Sequence, residues 1–181
     1  VRGTKKIAVL GSKKSGKTSI VEMLVRHFTE MGLIVGTMKH IHHSNFTIDS
    51  EGSDTWRHRR AGAKVTTYIS PLEAGLILSI EREPRDLEEA LKLIGGLKID
   101  LLIMEGFHRL VAKRFDVGKI IVFKDFKDLE EKIKGTEQPI IAYCTFNEEL
   151  IEKSHHDTNY MILPRDRDKL IYAVSAFMKS L

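Results

Sequence analysis

The stretch Gly11 to Thr18, GSKKSGKT, follows a short apolar run at Lys6 to Leu10 and opens an amphipathic one. It matches G-x-x-x-x-G-K-[ST] in full, and strand, turn, helix is the setting in which that pattern cradles phosphate. From Gly16 onward Ile20, Val21, Leu24, Val25 and Phe28 recur on one helical face, which ends at Gly32. A second apolar run, Leu33 to Met38, comes next. Two strands joined by a helical crossover pair in parallel with a right-handed connection, so the chain is committed to the α/β class. Its 181 residues are the size of one ordinary domain, and the expectation is a single nucleotide-binding domain over 1–181.

The rest of the chain fits that frame. After a polar stretch from His40 to Gly52, Ser53 or Asp54 caps a short basic helix ending near residues 61–63. Val65 to Ile69 and Leu76 to Ile80 read as an antiparallel hairpin at the sheet edge. Asp86 and Glu89 have capping-box spacing for a helix running to Gly95 and Gly96. Ile99 to Met104 is an apolar central strand, with Asp100 as a strand-entry residue. Further strands are expected at Lys119 to Phe123, Pro139 to Tyr143 and Tyr160 to Leu163, before a final helix from about Asp166. The predicted architecture is a P-loop NTPase-like three-layer α/β fold, with a mostly parallel sheet and an antiparallel edge hairpin.

Composition narrows the function classes. The 29 basic and 25 acidic side chains leave +4, which suits a polyanionic ligand. With no long basic stripe or aromatic stacking run, nucleic acid is not the expected partner. Cys144 is the only cysteine, so no disulfide closes within the chain and no thiolate knuckle holds a metal. It reads as a small core residue. The basic start precedes only four apolar residues, IAVL, too few for a signal-peptide core. No run approaches the ~18 residues of a membrane span. The expectation is a cytoplasmic protein without a membrane segment. His155 and His156 are assigned no role.

Each residue type of the glycine turn has a chemical reason. Backbone N–H groups of Gly11, Ser12, Lys13, Lys14, Ser15, Gly16, Lys17, Thr18 and Ser19 are the candidates to converge on phosphate, helped by the dipole of the helix they open. Gly11 and Gly16 let the backbone bend and approach closely. Lys17 can bridge phosphate oxygens, and the Thr18 hydroxyl can coordinate Mg²⁺. Lys13 and Lys14 either add positive potential or are solvated charge. Glu105 ends an apolar strand at the edge where open α/β sheets bind ligands. It is the candidate metal-shell or water-orienting, catalytic carboxylate. Asp49 is a further carboxylate available to magnesium, through water, while Asp54 reads as a helix cap.

The segment MKHIHHSNFTIDSEGSDTWRHRRAGA, from Met38 to Ala63, is the least generic. Lys39, His40, His42 and His43 suggest an anion subsite. The histidines also raise zinc or nickel binding, or a plain polar loop. Arg57 and Arg60 share a helical face, open to a substrate-phosphate role, partner docking or simple solvation.

GSKKSGKTS, MKHIHH, GSDTWRHRRAGA and DLLIMEGF, in that order, resemble the molybdopterin-guanine dinucleotide biosynthesis protein B (MobB) family over roughly the first 110 residues. The resemblance implies a GTP- and Mg²⁺-binding, weakly GTP-hydrolysing, homodimeric α/β protein. Such a protein assists a partner guanylyltransferase in attaching GMP to molybdopterin. It also implies a phosphate loop at Gly11 to Thr18, Glu105-Gly106 in the Walker-B place, and Asp49 at an acidic position ahead of Gly52 to Asp54. Guanine preference comes from the resemblance, because no N-K-x-D is present. Two other readings stand beside it: a P-loop small-molecule kinase and a nickel-insertion type GTPase.

Overall fold

A computed structural model describes residues 3–43, 45–152 and 160–180, the side chains of 151 and 152 apart; residues 155 and 156 lie outside them. Two compact units form, Val1–His40 with Asp86–Leu181, and Ile41–Arg85. In chain order, β1 (Lys5–Gly11), α1 (Lys17–Glu30) and β2 (Val35–Lys39) lead into the second unit's α2 (Asp54–Arg60), β3 (Val65–Ile69) and β4 (Ala74–Leu78). The first unit then resumes with α3 (Leu87–Leu91), extended by a 3₁₀ turn, and β5 (Leu101–Glu105), α4 (His108–Val111), β6 (Gly118–Val122) and α5 (Phe126–Ile133). It closes with β7 (Ile140–Thr145), α6 (Glu148–Glu152), β8 (Tyr160–Ile162) and α7 (Arg167–Ser180).

The six strands of the first unit lie in the order β2-β5-β1-β6-β7-β8, every pair parallel. Parallel strands need crossovers that cover both faces, so their sequences are apolar on both sides. Successive side chains divide accordingly. Ile7, Val9, Leu101, Ile103, Ile120 and Val122 pack with Ile20, Leu24 and Phe28 of α1 and Leu170 and Val174 of α7. Ala8, Leu10, Leu102 and Met104 face Leu87, Ala90, Phe107 and Val111 on the other side, where Ile121 and Phe123 also meet Leu129 of α5. This is the expected three-layer α/β architecture.

Local chemistry sets the element ends. Asp86 caps α3 by accepting from Glu89 N at 2.8 Å, as its spacing predicts. Asp100 accepts from Ile34 N at 2.8 Å, joining the entries of β5 and β2. Cys144 is buried, and burial pushes its thiol pKa up to about 12, so it is an inert core residue.

In the second unit Ser53 is the helix cap, its hydroxyl accepting from Trp56 N at 3.1 Å. The hairpin forms with Val65 opposite Leu78 and Ile69 opposite Ala74. Its second strand starts two residues earlier than the sequence suggests, because Ser70 closes a short loop by donating from N to Glu73 O at 2.7 Å and accepting from Glu73 N at 3.0 Å. Its strands pair only with each other among the described residues, as a two-stranded sheet separate from the six-stranded one.

Candidate phosphate-binding site

At the C-terminal edge of the large sheet, register brings Val9 beside Glu105 and Glu105 beside Lys39. The strand ends are stitched by Gly106 N donating to Val9 O and His40 N donating to Glu105 O, both at 3.0 Å. The crevice beyond these ends is where open α/β sheets place ligands.

The glycine turn crosses this edge between β1 and α1. At Gly11 a Cβ would stand 2.3 Å from the Val122 carbonyl oxygen and 2.6 Å from Ser15 Oγ, so only glycine lets the turn lie against β6. At Gly16, the residue preceding α1, φ is +96°, a conformation that glycine adopts without a steric penalty. Lys14 also has a positive φ, +62°. Lys17 reaches back over the turn and donates from Nζ to Ser12 O at 2.6 Å. Ser12 donates to Asp128 Oδ2 at 3.0 Å, and the same carboxylate oxygen accepts from Lys124 N at 3.2 Å. Ser15 is buried, and its Oγ has no hydrogen-bond partner among the described residues. A buried polar atom without a partner costs free energy.

Beside the turn, the Thr18 hydroxyl donates to the Glu105 carboxylate, with both oxygens at 3.2 Å. The Lys39 ammonium lies 3.1 Å from Glu105 Oε1, and the Glu105 side chain is only 12% exposed. Electrostatics at Lys17 are unfavourable to its charge. Burial lowers its pKa most, Glu105 opposes that, and the ammoniums of Lys39 and Lys132 lower it further. An arriving anion relieves such a lysine, because an opposite charge at close range restores the ionised form.

The structure therefore brings together Ser12, Ser15, Lys17, Thr18, Lys39 and Glu105. Lys13, Lys14 and Ser19 are exposed in or next to the turn. His40 joins by its backbone, with its ring 5.3 Å from that of Phe107. His42, His43, Asp49, Arg57 and Arg60 belong to the second unit. There Asp49 Oδ1 accepts from Ser53 at 2.9 Å and Thr55 at 2.8 Å, and Oδ2 lies 3.5 Å from Arg59 Nε. Burial raises the Asp49 pKa, but these hydroxyls and Arg59 outweigh it and hold the carboxyl below its usual value. Arg57 faces Asp54 at 3.7 Å, and Arg60 lies over the Trp56 ring at 5.6 Å. Among the described residues no three His, Cys, Asp or Glu side chains gather as a metal cluster.

Sequence reasoning missed Asp128 and Phe146. Asp128 lies in the FKDFKD repeat, where Asp125 caps α5 by accepting from Asp128 N at 2.8 Å; that D-x-x-D spacing was the available signal. The Phe146 ring lies against Gly16, where an added Cβ would come within 2.3 Å of it. Nothing local in the sequence marks this contact.

A parallel sheet with a glycine turn between its first strand and first helix, and an acidic residue ending the adjacent strand, defines an α/β protein of the P-loop-like fold. A solved structure of Bacillus subtilis MobB shares this fold at a TM-score of 0.71 and 26% identity, over 94% of this chain and 96% of that one. A MobB homologue from Bacillus stearothermophilus superposes at 0.69 with 20% identity, over 98% of this chain and 100% of that one. Residues 6–145 match the family described as molybdopterin guanine dinucleotide synthesis protein B, and the chain belongs to that family. A relative in Methanocaldococcus jannaschii is 32% identical over 78% of this chain and 56% of its own length. The molybdopterin-guanine dinucleotide biosynthesis adapter protein of Escherichia coli is 30% identical over 61% of each. The matches thus span a little over half of these two relatives' lengths. No helix of the described residues is long and apolar enough to cross a membrane.

Proposed function

We propose that this chain binds GTP with Mg²⁺ on Gly11 to Thr18 and serves as an adapter in molybdopterin guanine dinucleotide synthesis, presenting the nucleotide to a partner guanylyltransferase. The observation that carries the phosphate part is the buried, unpartnered Ser15 hydroxyl inside a turn that only glycine can build at Gly11. A phosphate oxygen is the acceptor this hydroxyl lacks, and it brings the negative charge that the half-desolvated Lys17 needs. The Thr18 hydroxyl and Glu105 carboxylate are hard oxygen donors of the kind Mg²⁺ takes, in small number, beside a nucleotide. Asp49, in the second unit, is engaged by Ser53, Thr55 and Arg59. Lys39 in the first unit, and Arg57 and Arg60 in the second, are the cations that each unit by itself offers an anionic, molybdopterin-type substrate, with the imidazoles of His40 in the first and of His42 and His43 in the second as polar groups.

Hydrolysis by the chain alone is slow in this reading. Fast phosphoryl transfer needs extra positive charge at the transition state, and an arginine finger is worth about 10³ to 10⁵ in rate. Among the described residues, Lys17 hydrogen-bonds within this turn, and Lys39, at the end of β2, is paired with Glu105. Calorimetric titration with Mg²⁺·GTP tests the binding claim: the wild type binds, and Lys17→Ala loses at least tenfold in affinity. Binding that is indifferent to Lys17 contradicts it.

A further inference from the structure

We infer that the base of the bound nucleotide stacks on Phe146, in a subsite where β6 and β7 end; this deepens the phosphate-binding reading and rests on it. The direction of the ligand follows from the sheet. Thr18, Glu105 and Lys39 gather on the β5 and β2 side of β1. They mark the side of the cation and the terminal phosphate. A nucleotide anchored there by its phosphates carries its sugar and base away from that side, over β6 and β7.

Two chain segments emerge on that side at one level. Register pairs Val122 with Cys144, and Phe123 N donates to Cys144 O at 2.9 Å. Lys124 and Phe146, two residues beyond that pair, therefore leave adjacent strands together. Lys124 is held by its backbone N–H on Asp128, the carboxylate that also accepts from Ser12 of the glycine turn. Phe146 is held by a buried Thr145, whose hydroxyl accepts from Asn147 N at 3.1 Å and turns the chain.

Phe146 remains 43% exposed while its ring lies against Gly16. A large apolar side chain backed by Gly16 and open to water at the mouth of the sheet is a preorganised platform for a flat ligand. Base-on-aromatic stacking needs no hydrogen-bond code, and its loss weakens binding by about 5- to 100-fold. The Asp125 carboxylate of FKD is engaged through Oδ1 as the cap of α5. Stacking is then the main attraction for the base, with the Lys124 ammonium available from the neighbouring strand.

The test uses the full chain and two probes, Mg²⁺·GTP and Mg²⁺·tripolyphosphate, which carries the phosphates without a base. Phe146→Leu keeps apolar packing against Gly16 and removes the aromatic face; Phe146→Trp enlarges it. The expected result is a Kd for GTP raised about 5- to 100-fold in Phe146→Leu, with tripolyphosphate affinity within about twofold of wild type. Phe146→Trp binds GTP at least as tightly as wild type. Equal weakening for both probes, or no change for GTP, overturns the subsite while leaving the phosphate site standing. A wild type that binds neither probe overturns the phosphate site, and the base subsite falls with it.

Discussion

Gly16 carries two demands at once, a φ of +96° and a Phe146 ring where a Cβ would go. Holding a non-glycine residue in such a conformation costs about 1–3 kcal/mol. Gly16→Ala should therefore lower unfolding free energy by at least about that amount in urea titration, since the Phe146 ring must also give way to the added Cβ. A variant as stable as wild type would mean that the backbone relaxes out of the left-handed region. The glycines, Lys17 and Thr18 were legible in the sequence because their requirements are local, set by a turn of eight residues. Glu105 was legible for a similar reason, as the acidic end of an apolar run. Phe146 and Asp128 were not, because their partners Gly16 and Ser12 come from the far end of the chain and meet them only after β1, β6 and β7 align.

Elements show the same division. The buried strands stand out as apolar runs, since a parallel sheet covered on both faces needs them. Within β6, however, Lys119 is fully buried and donates to the Arg114 and Gln138 carbonyls, which no apolar pattern announces. The short helices α4, α5 and α6 have no bounds legible in the sequence beyond a short helix between late strands, because each presents only one or two turns of periodicity. The final helix was placed from Asp166, and the structure supplies the reason. Asp166 accepts from Ile162 N at 2.9 Å and from Lys169 Nζ at 2.8 Å, tying β8 to α7. The Lys169 hydrogen bond and the Ile162 N–H hold its carboxyl below the ordinary 3.8. The unfolded chain therefore binds the proton more readily. The stabilisation is complete above the unfolded value and is lost as pH falls through the lower folded one. Asp166→Asn should be destabilising by urea unfolding at pH 7, and the gap from wild type should narrow as pH falls below the ordinary 3.8. An equally large gap at both pH values would show a packing effect rather than an ionic one.

On the scale of the whole molecule, the chain divides into two compact units. The break is hard to see in sequence because no proline- or glycine-rich linker marks it. The homodimer is what the family resemblance implies, and the second unit offers a surface for it. Its hairpin leaves Ile69 88%, Leu72 99% and Leu76 53% exposed. A two-stranded hairpin alone is marginal in water, and its open edges invite pairing. We propose that a second copy covers it. Light scattering should give twice the chain mass for wild type and the monomer mass for Leu76→Glu. A monomeric wild type contradicts the dimer.

The central claim concerns the glycine turn: this chain holds and presents a nucleoside triphosphate and does not turn it over quickly. The most direct measurement is the steady-state rate of GTP consumption by the purified chain with Mg²⁺ and no partner protein. The account predicts free phosphate released well below about one turnover per second, against roughly 1 to 100 per second for dedicated kinases. Turnover within that kinase range would contradict it, and phosphate found on an acceptor would identify the chain as a kinase.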